Sequence, residues 1–310
     1  MVNRLITFGD SFTEGEGAWL EKTFEIENKY KDNPSEGRRI ISEFNFEYSW
    51  PSQLAKLLHI KESYKVENRR AHTKFLNAGS CGASNDYIFN DIFKQDAIMH
   101  YKKGDLVVVM WSSSIRNKLP YFPSVFQEHS PIGLGWSLKE VFADSNQYLQ
   151  SNIHNFTKRY YKDPNDVHYI ENTLKPFMAE YFKPFITEVY DDQYYNLINY
   201  SYIHFLQSYF KYKGCDYIFI DGFEPMNSFD PKSKKWSLID KSKYWNFGKL
   251  TAWDYLTNIG GDVFENMDLS YHPPGQKCHP NRHGYKLIAE TLYNHCHKFE
   301  ERQLEINFDS

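Results

Sequence analysis

The run Asp105-Leu106-Val107-Val108-Val109-Met110-Trp111 constrains this chain more than any other stretch. Its apolar residues are continuous rather than alternating, so as a strand it has to be covered on both faces, the habit of parallel sheets. Leu5-Ile6-Thr7-Phe8 before Gly9-Asp10-Ser11, and Cys215 to Gly222, have the same character. Thr73 to Asn77 reads as a further strand leading into a small-residue turn, Ala78 to Asn85. Helical spacing falls between these runs. Leu54, Leu57 and Leu58 mark a helix over Trp50 to His59, and Ile88/Ile92 with Phe89/Phe93 mark another, capped by Ser84 or Asn85. A long helix covers Asp192 to Tyr212 and is stopped by Gly214; a closing one begins near Pro280-Asn281, with Leu287, Ile288, Thr291 and Leu292 as its inner face. Strands alternating with helices predict an α/β fold with a mainly parallel central sheet.

The 310 residues read as one domain spanning 1–310, with loop-rich excursions at about 14–48 and 224–270. A Pro-punctuated, aromatic-rich stretch at about 120–190 reads as a large, mostly helical insertion or cap. A net charge of -4 gives no overall basic footprint, so nucleic acid is not an expected partner. No apolar stretch is long enough to span a bilayer and the first residues resemble no export signal, so the expected location is the cytoplasm, away from membranes. Four scattered cysteines, Cys81, Cys215, Cys278 and Cys296, suit reduced thiols. Aromatic residues make up 18% of the chain, enough for ring-lined binding surfaces as well as a ring-built core.

Gly9-Asp10-Ser11 lies where a strand delivers a hydroxyl to the carboxyl edge of a sheet, the place where open α/β folds bind ligands. Two readings stand side by side. Asp10, Ser11 and Thr13 are all good helix caps, and Ser11 is also a candidate nucleophile if an imidazole comes within hydrogen-bond reach. His279, just ahead of the helix-starting Pro280, is the expected base, with His272 and His283 as weaker alternatives. The C-terminal cluster Cys278, His279, His283, His295, Cys296 and His297 lacks the spacing of a structural zinc site. Phosphate-cradling and dinucleotide glycine patterns are absent, so no cofactor and no metal are expected.

Gly9-Asp10-Ser11, Asn77-Ala78 followed by Gly82, and His279-Pro280-Asn281 before Gly284-Tyr285-Lys286-Leu287-Ile288-Ala289 together resemble the blocks of the GDSL or SGNH hydrolases, a family of serine esterases and lipases. The resemblance covers short parts of the chain but spans it end to end. It implies a flavodoxin-like three-layer α/β/α sandwich, with Ser11 as nucleophile, His279 as base and the N–H groups of Ser11 and Gly82 in the oxyanion hole. The chain departs from the family at two places. Where the family has Gly-x-Asn-Asp this chain has Met110-Trp111-Ser112-Ser113, so a hydroxyl of Ser112 or Ser113 is the expected third oxyanion donor. Where the family has the aspartate three before the histidine, this chain has Gln276, which can orient an imidazole but brings no charge; Asp262, Glu265 and Asp268 are nearby substitutes.

The resemblance implies a hydrolase cleaving a small-molecule or glycan ester, with an O-acyl group on a carbohydrate as the expected substrate and Asp10, Asn85 and Arg116 as expected substrate-binding residues. Arg116 reads equally as a sheet-edge ion-pair partner. Two alternatives accompany this expectation: a weakened or inactive scaffold kept for carbohydrate binding or assembly, motivated by Gln276 and Ser112, and an acyltransferase on the same fold.

Overall fold

The computed structural model describes residues 2–18, 20–60, 73–80, 83–112, 192–223, 225–227, 232–246, 249–264 and 279–308. In chain order the elements are β1 (Arg4–Gly9), α1 (Ser11–Glu14), α2 (Leu20–Lys29), α3 (Pro34–Tyr48), α4 (Trp50–Leu57), β2 (Phe75–Gly79), α5 (Asn85–Met99), β3 (Asp105–Trp111), α6 (Asp192–Lys213), β4 (Asp216–Asp221), α7 (Ala252–Ile259) and α8 (Arg282–Phe308). The four strands form one sheet in the order β2-β1-β3-β4, and every pairing is parallel.

Strand side chains alternate between faces, and in β1, β3 and β4 both faces are apolar. Ile6, Phe8, Val107, Val109, Trp111, Tyr217 and Phe219 point one way and are covered by Ile88, Ile92 and Met99 of α5 with Ile203, Leu206 and Phe210 of α6. Leu5, Leu106, Val108, Met110, Ile218 and Ile220 point the other way, under Leu54 and Ala55 of α4, Ala252 and Leu256 of α7, and Tyr285, Ile288, Ala289 and Leu292 of α8. Helices therefore flank the sheet on both sides, which is why continuous apolar runs were needed.

The β3 run has the bounds its sequence predicts. The second strand, at the sheet edge, starts two residues later, at Phe75, the first residue paired with β1, and sets Asn77 opposite Thr7. Residues 14–48, read as an irregular excursion, hold α2 and α3; Asn33 accepts from Glu36 N–H and Pro34 follows it, a start signal that the polar composition obscured. The inner face of α8 is Tyr285, Ile288, Ala289 and Leu292, with Leu287 only flanking it. The stretch 224–270 contains α7, opened by a reciprocal Thr251–Asp254 capping box. The expected insertion at about 120–190 lies outside the described residues.

Asp96 ties α5 to α6. Burial pushes its carboxyl up, but Lys213 at 2.7 Å, the Tyr209 hydroxyl and the Tyr101 N–H outweigh this, and its pKa lies below the usual carboxylate range. A carboxylate lowered on folding stabilises the fold above its unfolded pKa of about 4, and that share is lost as pH falls through the folded value. In urea titrations, wild-type stability is expected to decline more steeply between about pH 5 and about pH 3 than that of Asp96→Asn. Equal slopes would remove Asp96 from the acid response.

Candidate functional site

The chain leaves β1 toward β2 on one side and β3 toward β4 on the other, so the carboxyl ends of β1 and β3 flank a topological switch point, where such sheets leave a crevice. Asp10 ends β1 in extended conformation and is the N-cap of α1. Its Oδ1 accepts from Phe12 N–H at 3.0 Å and its Oδ2 from the Ser112 hydroxyl at 2.7 Å. Asn77 of β2 braces the same turn, accepting from Gly79 N–H at 2.9 Å and donating to the Thr13 carbonyl at 2.8 Å. A Cβ at Gly79 would stand 2.2 Å from Glu14 N, so only glycine lets β2 and α1 approach this closely. The outcome is Ser11 at the first position of α1, its hydroxyl fixed above the switch point.

The candidate base comes from the far end of the chain. Asn281 caps the start of α8, its Oδ1 accepting from His283 N–H at 2.9 Å and Gly284 N–H at 3.0 Å. Asn281 N–H donates to the Val263 carbonyl at 3.0 Å and Pro280 bridges Phe264, which pins the helix start against residues 262–264. His279 then reaches over the sheet edge, with Nε2 3.0 Å from Ser11 Oγ. Its ring lies 5.8 Å from that of Phe12, which packs on Phe223 at 4.4 Å, while Trp253 packs on Phe264 at 4.7 Å. A buried serine, an imidazole within hydrogen-bond distance and an aromatic wall can together move a proton and desolvate a small ester.

The other expected site residues separate into three groups. Asp10 and Asn85, expected to hold substrate, are each 1% exposed and hold the protein instead. Asp10 caps α1, and Asn85 Oδ1 accepts from Ser112 N–H at 2.9 Å while its Nδ2 lies 3.4 Å from Asn199 Oδ1, joining α5, β3 and α6. Ser112 sits at the switch point but directs its one hydroxyl proton to Asp10, so it supports the turn carrying Ser11 rather than offering that proton to an oxyanion. Among the alternatives, His283 is exposed at the start of α8, and Asp262 is held by Asn281 Nδ2 at 3.2 Å. Gly82, Ser113, Arg116, Gln276, Glu265, Asp268 and His272 lie outside the described residues.

One neighbour of the histidine was missed. Glu16 Oε2 stands 3.5 Å from His279 Nε2, the same nitrogen that faces Ser11. An acidic residue five places after a nucleophile carries no motif, although its position between Gly15 and Gly17 was a visible sign of a sharp turn.

No group of three or more His, Cys, Asp or Glu side chains is placed to hold a metal ion among the described residues. Cys215 is free, and burial with Asp105 and Asp96 nearby pushes its thiol up to about 12, so it is no nucleophile at neutral pH. No described helix is long and apolar enough to cross a membrane. Compared with protein-family models, with curated proteins and with solved structures, the chain matches none.

Proposed function

We propose that this chain is a serine hydrolase that cleaves an ester through an acyl-serine intermediate, on a flavodoxin-like fold of the SGNH kind. The observation carrying this reading is the 3.0 Å approach of His279 Nε2 to Ser11 Oγ at the β1/β3 switch point. Neutral His279 takes the serine proton as Oγ attacks the ester carbonyl. The resulting imidazolium returns that proton to the departing alcohol oxygen, and a water activated by the same imidazole then releases the acid. Ser11 stands at a helix start, where the backbone N–H has no helical acceptor, so that N–H is available to the oxyanion; the family resemblance adds the N–H of Gly82. An O-acyl group on a carbohydrate is the proposed substrate, because Phe223 and Trp253 are partly exposed around Phe12, whose ring lies against His279, and offer aromatic surface for a sugar.

A fluorophosphonate probe tests the route. The expected result is a stable adduct on the Ser11 peptide by mass spectrometry, absent from Ser11→Ala. Failure of the folded wild type to react anywhere from neutral to alkaline pH would sink the proposal.

A further inference from the structure

A serine–histidine pair works by creating an imidazolium beside a developing oxyanion, and that cation needs a negative partner. At the position where the resembled family supplies one, this chain has the neutral Gln276. From the placement of Glu16, whose carboxylate stands 3.5 Å from His279 Nε2, we infer that Glu16 is a positioning residue that offsets the charge of the His279 imidazolium; this rests on the hydrolase reading.

The placement is built from both neighbours in the catalytic pair. Glu16 N–H donates to the Ser11 carbonyl at 3.0 Å, and the Glu16 carbonyl accepts from the hydroxyl of the fully buried Tyr285 at 2.6 Å, one turn into the helix that follows His279. Gly15 and Gly17 take φ of 96° and 84°, a left-handed geometry that bulky residues avoid, and a Cβ at Gly15 would stand 2.3 Å from the Asn45 carbonyl oxygen. The turn is thus clamped, and it leads the chain back so that the carboxylate meets Nε2. Before proton transfer, Nε2 accepts from Ser11. After it, the new N–H stays directed at the reacting oxygens, and the Glu16 carboxylate 3.5 Å from the same nitrogen offsets the positive charge until the proton passes to the departing oxygen.

The surrounding charges leave Glu16 well placed for this task. Asp10, behind Ser11, is held by Phe12 N–H and Ser112; Asp262, on the segment packed against the start of α8, is held by Asn281; and His283 is exposed one residue into α8. The pair is partly open to water, with side-chain exposures of 21% for His279 and 31% for Glu16, so the coupling is smaller than for a sealed pair and is screened by salt.

The experiment is an NMR titration of the His279 ring in the full-length protein, run on wild type, Glu16→Gln and Glu16→Asp, beside pH profiles of kcat/KM on an acetyl ester. Losing the carboxylate favours the neutral ring, so the His279 titration of Glu16→Gln is expected to move to lower pH than that of wild type. The acidic limb of kcat/KM should move to lower pH by the same amount, and its plateau should drop about three- to tenfold with the weaker base. Glu16→Asp should recover part of the shift, and added salt should shrink the wild-type difference. An unchanged His279 titration in folded Glu16→Gln overturns the inference. A shifted titration with no turnover and no probe adduct in wild type would instead sink the hydrolase reading and leave the Glu16–His279 coupling in place.

Discussion

Replacing His279 with alanine is expected to lower ester turnover by about 10⁴-fold at neutral pH while leaving the melting temperature within a degree or two of wild type. The two effects separate because of how the residue is held. The start of α8 is anchored by the Asn281 cap, the Asn281–Val263 bond and the Pro280 bridge, none of which uses the imidazole. The ring itself is partly exposed, so its removal forfeits little burial. What disappears is the acceptor 3.0 Å from Ser11 Oγ, without which the hydroxyl stays protonated and weakly nucleophilic. Residual activity should rise with pH, as hydroxide substitutes for the base. A turnover loss below about tenfold in the folded variant would remove His279 from the chemistry.

At the opposite end of the sheet, Asp105→Ala is expected to cost about 3–5 kcal/mol of folding stability. Arg4 opens β1 and Asp105 opens β3, and the two form a bidentate pair, Nε to Oδ1 at 2.7 Å and Nη2 to Oδ2 at 2.5 Å. Both are buried, at 7% and 1% exposed, and the Asp105 carboxylate lifts the guanidinium pKa above its ordinary value despite the lowering by burial. Truncating Asp105 removes the carboxylate from a buried cation that also donates to the Met99 and His100 carbonyls, and it removes the acceptor for Lys102 N–H at 2.8 Å. Replacing both members together, as Arg4→Met with Asp105→Leu, should cost much less, since no orphaned charge remains. Urea unfolding of the two variants measures the difference. The folded fraction of either should still take up a fluorophosphonate at Ser11, because the pair lies at the strand starts and the site at the strand ends. A cost below about 1 kcal/mol for Asp105→Ala would show that Arg4 finds water or another partner.

The parts of the fold that could be read from sequence are those where one physical requirement dominates. A strand sealed on both faces has to be apolar throughout, so β3 stood out with its bounds. The cap at Ser84 and the stop at Gly214, with φ of 71°, follow from local backbone chemistry and were also visible. The helices α2 and α3 were not, because most of their described residues stay half or fully exposed and their polar, charged composition resembles that of a loop. At the site, Gly9-Asp10-Ser11 offered a cap and a nucleophile as rival readings. In the structure Asp10 is the cap, and Ser11 beside it faces the histidine. Asp10 and Asn85, expected to hold substrate, are both buried and bonded within the protein. A polar residue at a sheet edge looks the same in sequence whether it faces a ligand or braces the backbone, and only burial tells the two apart. Glu16 was hidden for the converse reason, since nothing in a lone acidic residue records the turn that folds it back.

Ser11 and His279 are 268 positions apart, and the second is fixed in place only when α8 seats Tyr285, Ile288, Ala289 and Leu292 beside Leu54 and Ala55 of α4. The order of synthesis therefore separates the two halves of the site in time. A growing chain exposes its serine long before its histidine, and the residue that would arm it emerges after the four strands have been made. Reactivity at Ser11 then serves as a clock for the final docking event, and a refolding experiment that follows probe uptake should lag behind one that follows burial of the strands.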